Sequence, residues 1–188
     1  MDRPEGQDPA EQAIREGHAF LKSGVYERAL SAFTRAADLF AEAGDGRRQA
    51  KAITNKALVL VQLRRFDDAI TSFKEALKRF EKEDEFIRVA EQWGNIGSAH
   101  RDMGQPDEAI ENYSEALEIY RQLGLRERAG DQCTNIAYAR FLKKEYPAAL
   151  PWYREALTLY TQTGCEEKRG LTAENVARLE AALEDPAE

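Results

Sequence analysis

Hydrophobic and polar positions repeat along this chain with two periods at once. The short period is helical. Between about Glu85 and Met103, Phe86, Val89, Ala90, Trp93, Ile96, Gly97 and His100 recur at intervals of three and four, as one face of an α-helix requires. Gly104 stands where a helix stop is expected. Pro106 and Asp107 then open a second segment. Proline suits a first helical turn, and aspartate suits the positive end of a helix dipole. Ala109, Ile110, Tyr113, Ala116, Leu117 and Tyr120 keep helical spacing there until Gly124. The pair predicts a helix–turn–helix unit.

The long period is forty residues. Four copies tile the chain without insertion, at 11–50, 51–90, 91–130 and 131–170. Three columns hold only small residues: Gly17, Ala57, Gly97, Ala137; Ala29, Ala69, Ala109, Ala149; and Ala36, Ala76, Ala116, Ala156. Two hold only aromatic ones: Phe33, Phe73, Tyr113, Tyr153 and Phe40, Phe80, Tyr120, Tyr160. Tyr26, Phe66, Pro106 and Tyr146 fall at the turn inside each unit. Small residues in fixed columns imply helices crossing closely, with the aromatic rings filling the remaining volume. Units that bury their faces only by stacking form a solenoid. The predicted fold is all-α, an α-α superhelix of four helix–turn–helix repeats. A cap helix over 166–184 carries a stripe of Ala173, Val176, Ala177, Leu179 and Leu183. One domain is expected over 10–188, after a flexible leader over 1–9 that is rich in proline and charge.

Gly97, Ala109, Tyr113 and Ala116, with Trp93 ahead of them and Pro106 between the helices, resemble the tetratricopeptide repeat. The resemblance runs over 11–170. The common form of that repeat places proline near the end of its second helix, where this chain has Ala41, Glu81, Arg121 and Thr161. The departure is similar to the longer subclass of about forty residues found in G-protein-signalling modulators, kinesin light chains and bacterial peptide-pheromone receptors. The resemblance implies a right-handed superhelix whose first helices line a concave groove that takes a peptide.

Composition narrows the function. With 43% hydrophobic and 32% charged residues, the chain is globular rather than disordered. Its longest purely apolar run, Ala57 to Val61, is too short to span a bilayer, and the first ten residues lack the apolar core of a secretory signal. Two cysteines make no disulfide framework, so a cytoplasmic location with reduced thiols is expected. A net charge of −7 disfavours nucleic acid and anionic lipid as partners. His18 and His100 fall two repeats apart, about 20 Å with helices about 10 Å apart, too far to share a metal ion. Cys133 is expected on the packed side of its helix and Cys165 at the exposed start of the cap. Glu81, Glu83, Asp84 and Glu85 lack the alternation and turn glycine of a calcium loop. No phosphate loop, nucleophile elbow or His-Glu-x-x-His motif occurs. Neither enzyme activity nor a cofactor or metal is expected.

The candidate site is therefore the groove. Counting three and four along each first helix, the groove stripe contains Arg48, Lys51, Asn55, Leu58, Gln62, then Arg88, Glu91, Asn95, Ser98, Arg101. It continues with Arg128, Asp131, Asn135, Tyr138, Phe141 and, on the cap, Lys168, Leu171, Asn175, Arg178. The column Asn55, Asn95, Asn135, Asn175 has Arg15 at the matching place in the first repeat. Asparagine amides donate and accept, and so can hold a peptide backbone whatever its side chains. The alternative is that they satisfy neighbouring side chains. The column Arg48, Arg88, Arg128, Lys168 makes one edge basic and suits acidic groups, unless residues three or four along pair with it. Leu58, Tyr138 and Phe141 lack evident helix partners and are candidate anchors. The resemblance also suggests an exclusion. Lys51 and Asn55 begin a clamp for a chaperone's carboxylate tail, but Glu91 breaks it one repeat on.

The expected function is a non-catalytic scaffold that binds a peptide segment of another protein, acidic groups included, as a monomer or weak homodimer. The alternatives are a self-associating module that dimerises through its solenoid ends, or a peptide-sensing regulator whose output domain is a separate protein. Two local features carry expectations of their own. Glu16 and Lys56 share a column with Ile96 and Ile136; either they pair across the first seam, or the N-terminal end is loosely packed and wetted. Pro151, one turn after Pro147, is expected to cost a backbone hydrogen bond.

Overall fold

The computed structural model describes residues 8–184. Among the described residues, nine α-helices follow one another and no strand occurs. First helices α1 (Pro9–Lys22), α3 (Gly46–Gln62), α5 (Phe86–Asp102), α7 (Arg126–Leu142) and α9 (Glu166–Glu184) alternate with second helices. The second helices are α2 (Tyr26–Glu42), α4 (Phe66–Lys82), α6 (Pro106–Gln122) and α8 (Tyr146–Thr163). Residues 1–7 of the expected leader lie outside the described residues. Pro9, which closes it, already opens α1, where the Asp8 side chain accepts the Ala10 N–H at 2.9 Å.

The backbone repeats at half the period of the side chains. A residue with positive φ recurs every twenty positions: Gly24, Gly44, Arg64, Asp84, Gly104, Gly124, Lys144 and Gly164. In each case the next N–H returns to the carbonyl five residues back, from Val25 to Phe20 (2.9 Å) through to Cys165 to Tyr160 (3.1 Å). This is the Schellman closure, which satisfies carbonyls that the helix end leaves open. Arg64 carries a compensation for its strained backbone, because its guanidinium lies 5.2 Å above the Phe66 ring.

Contacts divide the chain into two compact units, Met1–Gln92 and Trp93–Glu188. In the first, the ring of Phe33 lies against Gly17, and Ala29, Ala36, Ala57, Ala69 and Ala76 have no solvent exposure. Phe33, Phe40, Phe73 and Phe80 are buried beside them. The Glu16–Lys56 pair does not form. Glu16 turns towards α2, where it accepts from Arg35, and it also accepts from Gln12 on its own helix (2.9 Å). Arg35 belongs to the same repeat and reaches Glu16 within it. Lys56 is half-buried beside Leu30 and Thr34.

In the second unit Tyr113 packs on Gly97, and its hydroxyl donates to Ser98 Oγ at 3.1 Å. Ala137, Ala149, Tyr153, Val176 and Leu179 form one buried cluster that joins α7, α8 and α9. The stripe expected on α9 is narrower than its sequence suggests. Val176 and Leu179 are buried, but Ala173, Ala177 and Leu183 are exposed. Columns 173 and 177 match Cys133 and Ala137, which are buried in the repeat where a second helix follows. No described helix follows α9. Pro151 lies inside α8 on its exposed face, so the N–H it lacks leaves one carbonyl of the first turn facing solvent.

The two glycines of α5 are expected to respond in opposite ways. A Cβ at Gly97 would lie 2.7 Å from Tyr113 Cδ1 and 3.2 Å from the Ala109 carbonyl oxygen. Gly97→Ala should therefore lower unfolding free energy by about 1–3 kcal/mol. A Cβ at Gly94 meets only the Gln132 amide, at 3.5 Å. Gly94→Ala should raise stability by about 0.5–1 kcal/mol through helix propensity. Urea titration of both variants checks the pair. Lys144→Gly, which relieves the left-handed turn, should raise unfolding free energy by about 1 kcal/mol in the same titration.

Candidate functional site

The basic column is drawn into the stacking of the helices. Arg48 pairs with Asp45 (2.5 Å) and reaches Glu11 on α1 (3.4 Å), with its guanidinium 4.9 Å above the Phe40 ring. Lys168 bonds Asp131 (2.7 Å) and Glu127 (2.8 Å) on α7 and lies 5.7 Å above the Tyr160 ring. Arg128 lies 5.8 Å above Tyr120. In these three cases the cation covers the aromatic residue eight positions before it. Arg88 instead pairs with Glu91 one turn along (2.7 Å). Tyr160 completes the α7–α9 junction by donating to Asp131 at 2.8 Å. The Lys168 bond, followed by one from Cys165, holds the Glu127 carboxyl below its ordinary range.

Two buried glutamines, Gln92 and Gln132, were not expected. Gln92 donates to the Arg88 carbonyl (3.2 Å) and accepts from Thr54 on α3 (3.1 Å). Gln132 lies over Gly94, whose missing side chain leaves room for the amide. Both share a column with Ala52 and Thr172, so each reads in sequence as an ordinary polar helix position. The available signal was the opposing column, Thr54 and Gly94, which supplies a hydroxyl in one repeat and space in the next.

The asparagine column behaves differently. Asn55, Asn95, Asn135 and Asn175 are all half-buried at one register position. Asn135 makes a single long bond to Gln132 (3.4 Å). Among the described residues, the amides of Asn55, Asn95 and Asn175 meet no partner. Asn55 borders a recess of about 260 Å³ in the first unit, with Lys51, Arg88 and Glu91 on its rim and His18 and Phe80 on its walls. Leu58 is exposed at 41%. Arg101 is bound to Asp102 on its own helix (2.8 Å).

In the second unit Tyr138 is 42% exposed and stacks on Phe141, with ring centroids 6.3 Å apart and planes 11° apart. Phe141, expected to lack a partner, packs against Tyr146 at 5.3 Å and joins the buried cluster. Of these two rings, Tyr138 is the more exposed. Asn175, Arg178, Leu179 and Tyr153 close a small slot of about 60 Å³ beside it.

The remaining chemistry-bearing groups have structural surroundings. His100 Nδ1 lies 2.7 Å from the Gln105 amide oxygen, and His18 lies edge-on to Phe33. Burial pushes the Cys133 thiol up to about 12, so it stays protonated. Cys165, expected to be exposed, is half-buried under the start of α9. Glu85, from the acidic run, pairs with Arg47. Among the described residues no group of side chains is arranged to hold a metal ion, and no helix is long and apolar enough to cross a membrane.

A sequence profile described as Tetratricopeptide repeat matches residues 12–82, and a second of the same description matches 90–123. A search of curated protein sequences gives no match. Among solved structures, the apo form of RapI is 18% identical with a TM-score of 0.86 over 94% of this chain and 49% of its own. Aspartyl phosphate phosphatase F from Bacillus subtilis is 15% identical (TM-score 0.77; 95% of this chain, 51% of its own). BtubC from P. vanneervenii is 18% identical (TM-score 0.70; 93% of this chain, 80% of its own). The chain thus spans about half the length of RapI and of the phosphatase.

The Glu127–Lys168 bond sets a pH expectation. Because the folded state depresses the Glu127 pKa, its contribution is present above the ordinary value of 4.5 and is lost as pH falls below it. Amide exchange in α9 should therefore accelerate relative to α7 as pH falls below about 4.5, and not above it. Lys168→Met should remove that pH dependence.

Proposed function

The chain belongs to the tetratricopeptide repeat family, and from that premise we propose that it is a non-catalytic scaffold whose first helices receive a peptide segment of another protein. The observation that carries the reading is the asparagine column. Four side-chain amides share one register, and three of them have no partner of their own among the described residues. A half-buried amide without a partner forgoes hydrogen bonds that a peptide backbone can restore. In the first unit the backbone would pass Asn55, with Lys51 and Arg88 beside it and Leu58 as an apolar contact. In the second it would pass Asn95, Asn135 and Asn175, with Arg101, Arg128, Tyr138 and Phe141 alongside. Arg48, tied into its seam, would frame this surface more than contact the peptide. A cytoplasmic setting suits the free thiols of Cys133 and Cys165.

A second reading rests on α9. Ala173, Ala177 and Leu183 leave an apolar, small-residue face exposed on the last described helix. Two copies could bury that face in a homodimer. Light scattering coupled to gel filtration separates the readings: a monomer that binds peptide favours the first, and an obligate dimer favours the second.

The decisive test is the double variant Asn95→Ala with Asn135→Ala. It should abolish capture of the native partner, with circular dichroism unchanged because, among the described residues, Asn95 has no partner and Asn135 makes one long bond, to Gln132. Normal binding by the double variant would remove the groove from consideration.

A further inference from the structure

The asparagine column gives affinity without sequence preference, so selectivity must come from side chains beside it. The second unit offers one such place. Tyr138 projects from α7 with its ring held against Phe141, itself fixed by Tyr146. The orientation of Tyr138 is thus set before any ligand arrives. Beside it, Tyr153 and Leu179 form the apolar floor of the small slot.

The rim of the slot is polar on one side only. Asn175 and Arg178 both come from α9. Among the described residues Arg178 meets no carboxylate, although seventeen-residue and longer helices around it carry many; the nearest acid along α9, Glu180, is taken by Arg154 at 2.6 Å. Arg28, Arg64 and Arg126 likewise meet no carboxylate among the described residues, but of these arginines only Arg178 borders the slot. Arg48, Arg88, Arg101, Arg121, Arg140 and Lys168 all have acidic partners.

We propose that this slot selects the partner segment: an apolar side chain of leucine size enters beside Tyr138, and an adjacent aspartate or glutamate side chain meets the Arg178 guanidinium. The carboxylate is a side chain rather than a chain end, because Asn135 and Asn175 lie on consecutive first helices and a backbone held by both continues past the slot. This inference rests on the peptide-scaffold reading and adds its specificity. Guanidinium and carboxylate form a charge-assisted pair, and partial exclusion of water by the Tyr138 ring strengthens it.

The test uses the full chain and four short peptides. Three are acetylated and amidated, with central Leu-Glu, Leu-Gln or Ala-Glu; the fourth ends in a free carboxylate after Ala-Leu. Binding is followed by chemical shifts of the Asn135, Tyr138 and Asn175 amides. The Leu-Glu peptide should bind about fivefold to tenfold tighter than Leu-Gln and Ala-Glu. Arg178→Gln should erase the preference for Leu-Glu over Leu-Gln, and Tyr138→Ala should erase the preference for leucine over alanine. Both residues are exposed, so neither variant threatens the fold. Equal binding of Leu-Glu and Leu-Gln, or a preference that survives Arg178→Gln, overturns the slot while leaving the asparagine column intact. Tightest binding by the free-carboxylate peptide overturns the side-chain assignment. No shift with any peptide, together with normal partner capture by the double asparagine variant, overturns both readings.

Discussion

Everything in this protein depends on an aromatic ring pressed against a nearly bare stretch of helix. The rings of Phe33 and Tyr113 lie against Gly17 and Gly97, Tyr153 clusters with Ala137, and the ring column at 33, 73, 113 and 153 and the small column at 17, 57, 97 and 137 are buried throughout. The contact is close enough that the Tyr113 and Phe33 rings already occupy the space of a Cβ at Gly97 and Gly17. Dispersion is short-ranged, so this approach sets the spacing between first and second helices. It also orients the first helix. Asn95 precedes Gly97 by two residues, which is about 200° around an α-helix. Turning column 97 into the ring therefore turns column 95 the other way. The packing contact and the proposed binding face are two sides of one rotation.

The turns are a separate, local device. The same Schellman closure recurs every twenty residues, whichever helices it joins. Its chemistry is backbone chemistry, so it tolerates Arg64, Asp84 and Lys144 where other turns have glycine. Uniform turns keep helix lengths at seventeen residues from α2 to α7, and uniform lengths keep the side-chain columns in register.

Charge is distributed by the same geometry. Arg48 and Lys168 each reach back to an acid on the previous first helix of their unit and lie over the ring eight residues earlier. Guanidinium and ammonium groups so placed hold the seam and are poorly available to a ligand. Among the described residues, the amides of Asn55, Asn95 and Asn175 and the Arg178 guanidinium have no such ties. A surface of that kind favours backbone recognition with one or two selective side-chain contacts over broad electrostatic attraction.

The helices, their pairing and the solenoid class were legible in the sequence, because close packing leaves small and aromatic residues in columns that only a forty-residue stack explains. The asparagine column was legible too, as a position. Whether its amides were free was not, since hydrogen-bond partners come from neighbouring helices about 40 positions away, as Thr54 and Gln92 illustrate. For the same reason Lys56 was a candidate partner for Glu16 when Arg35 lay nearer, and Phe141 looked unpartnered until Tyr146 was placed against it. Periodicity determines which face of a helix is buried. Which two side chains meet is decided by the distance between helices, and only the tertiary structure supplies that distance.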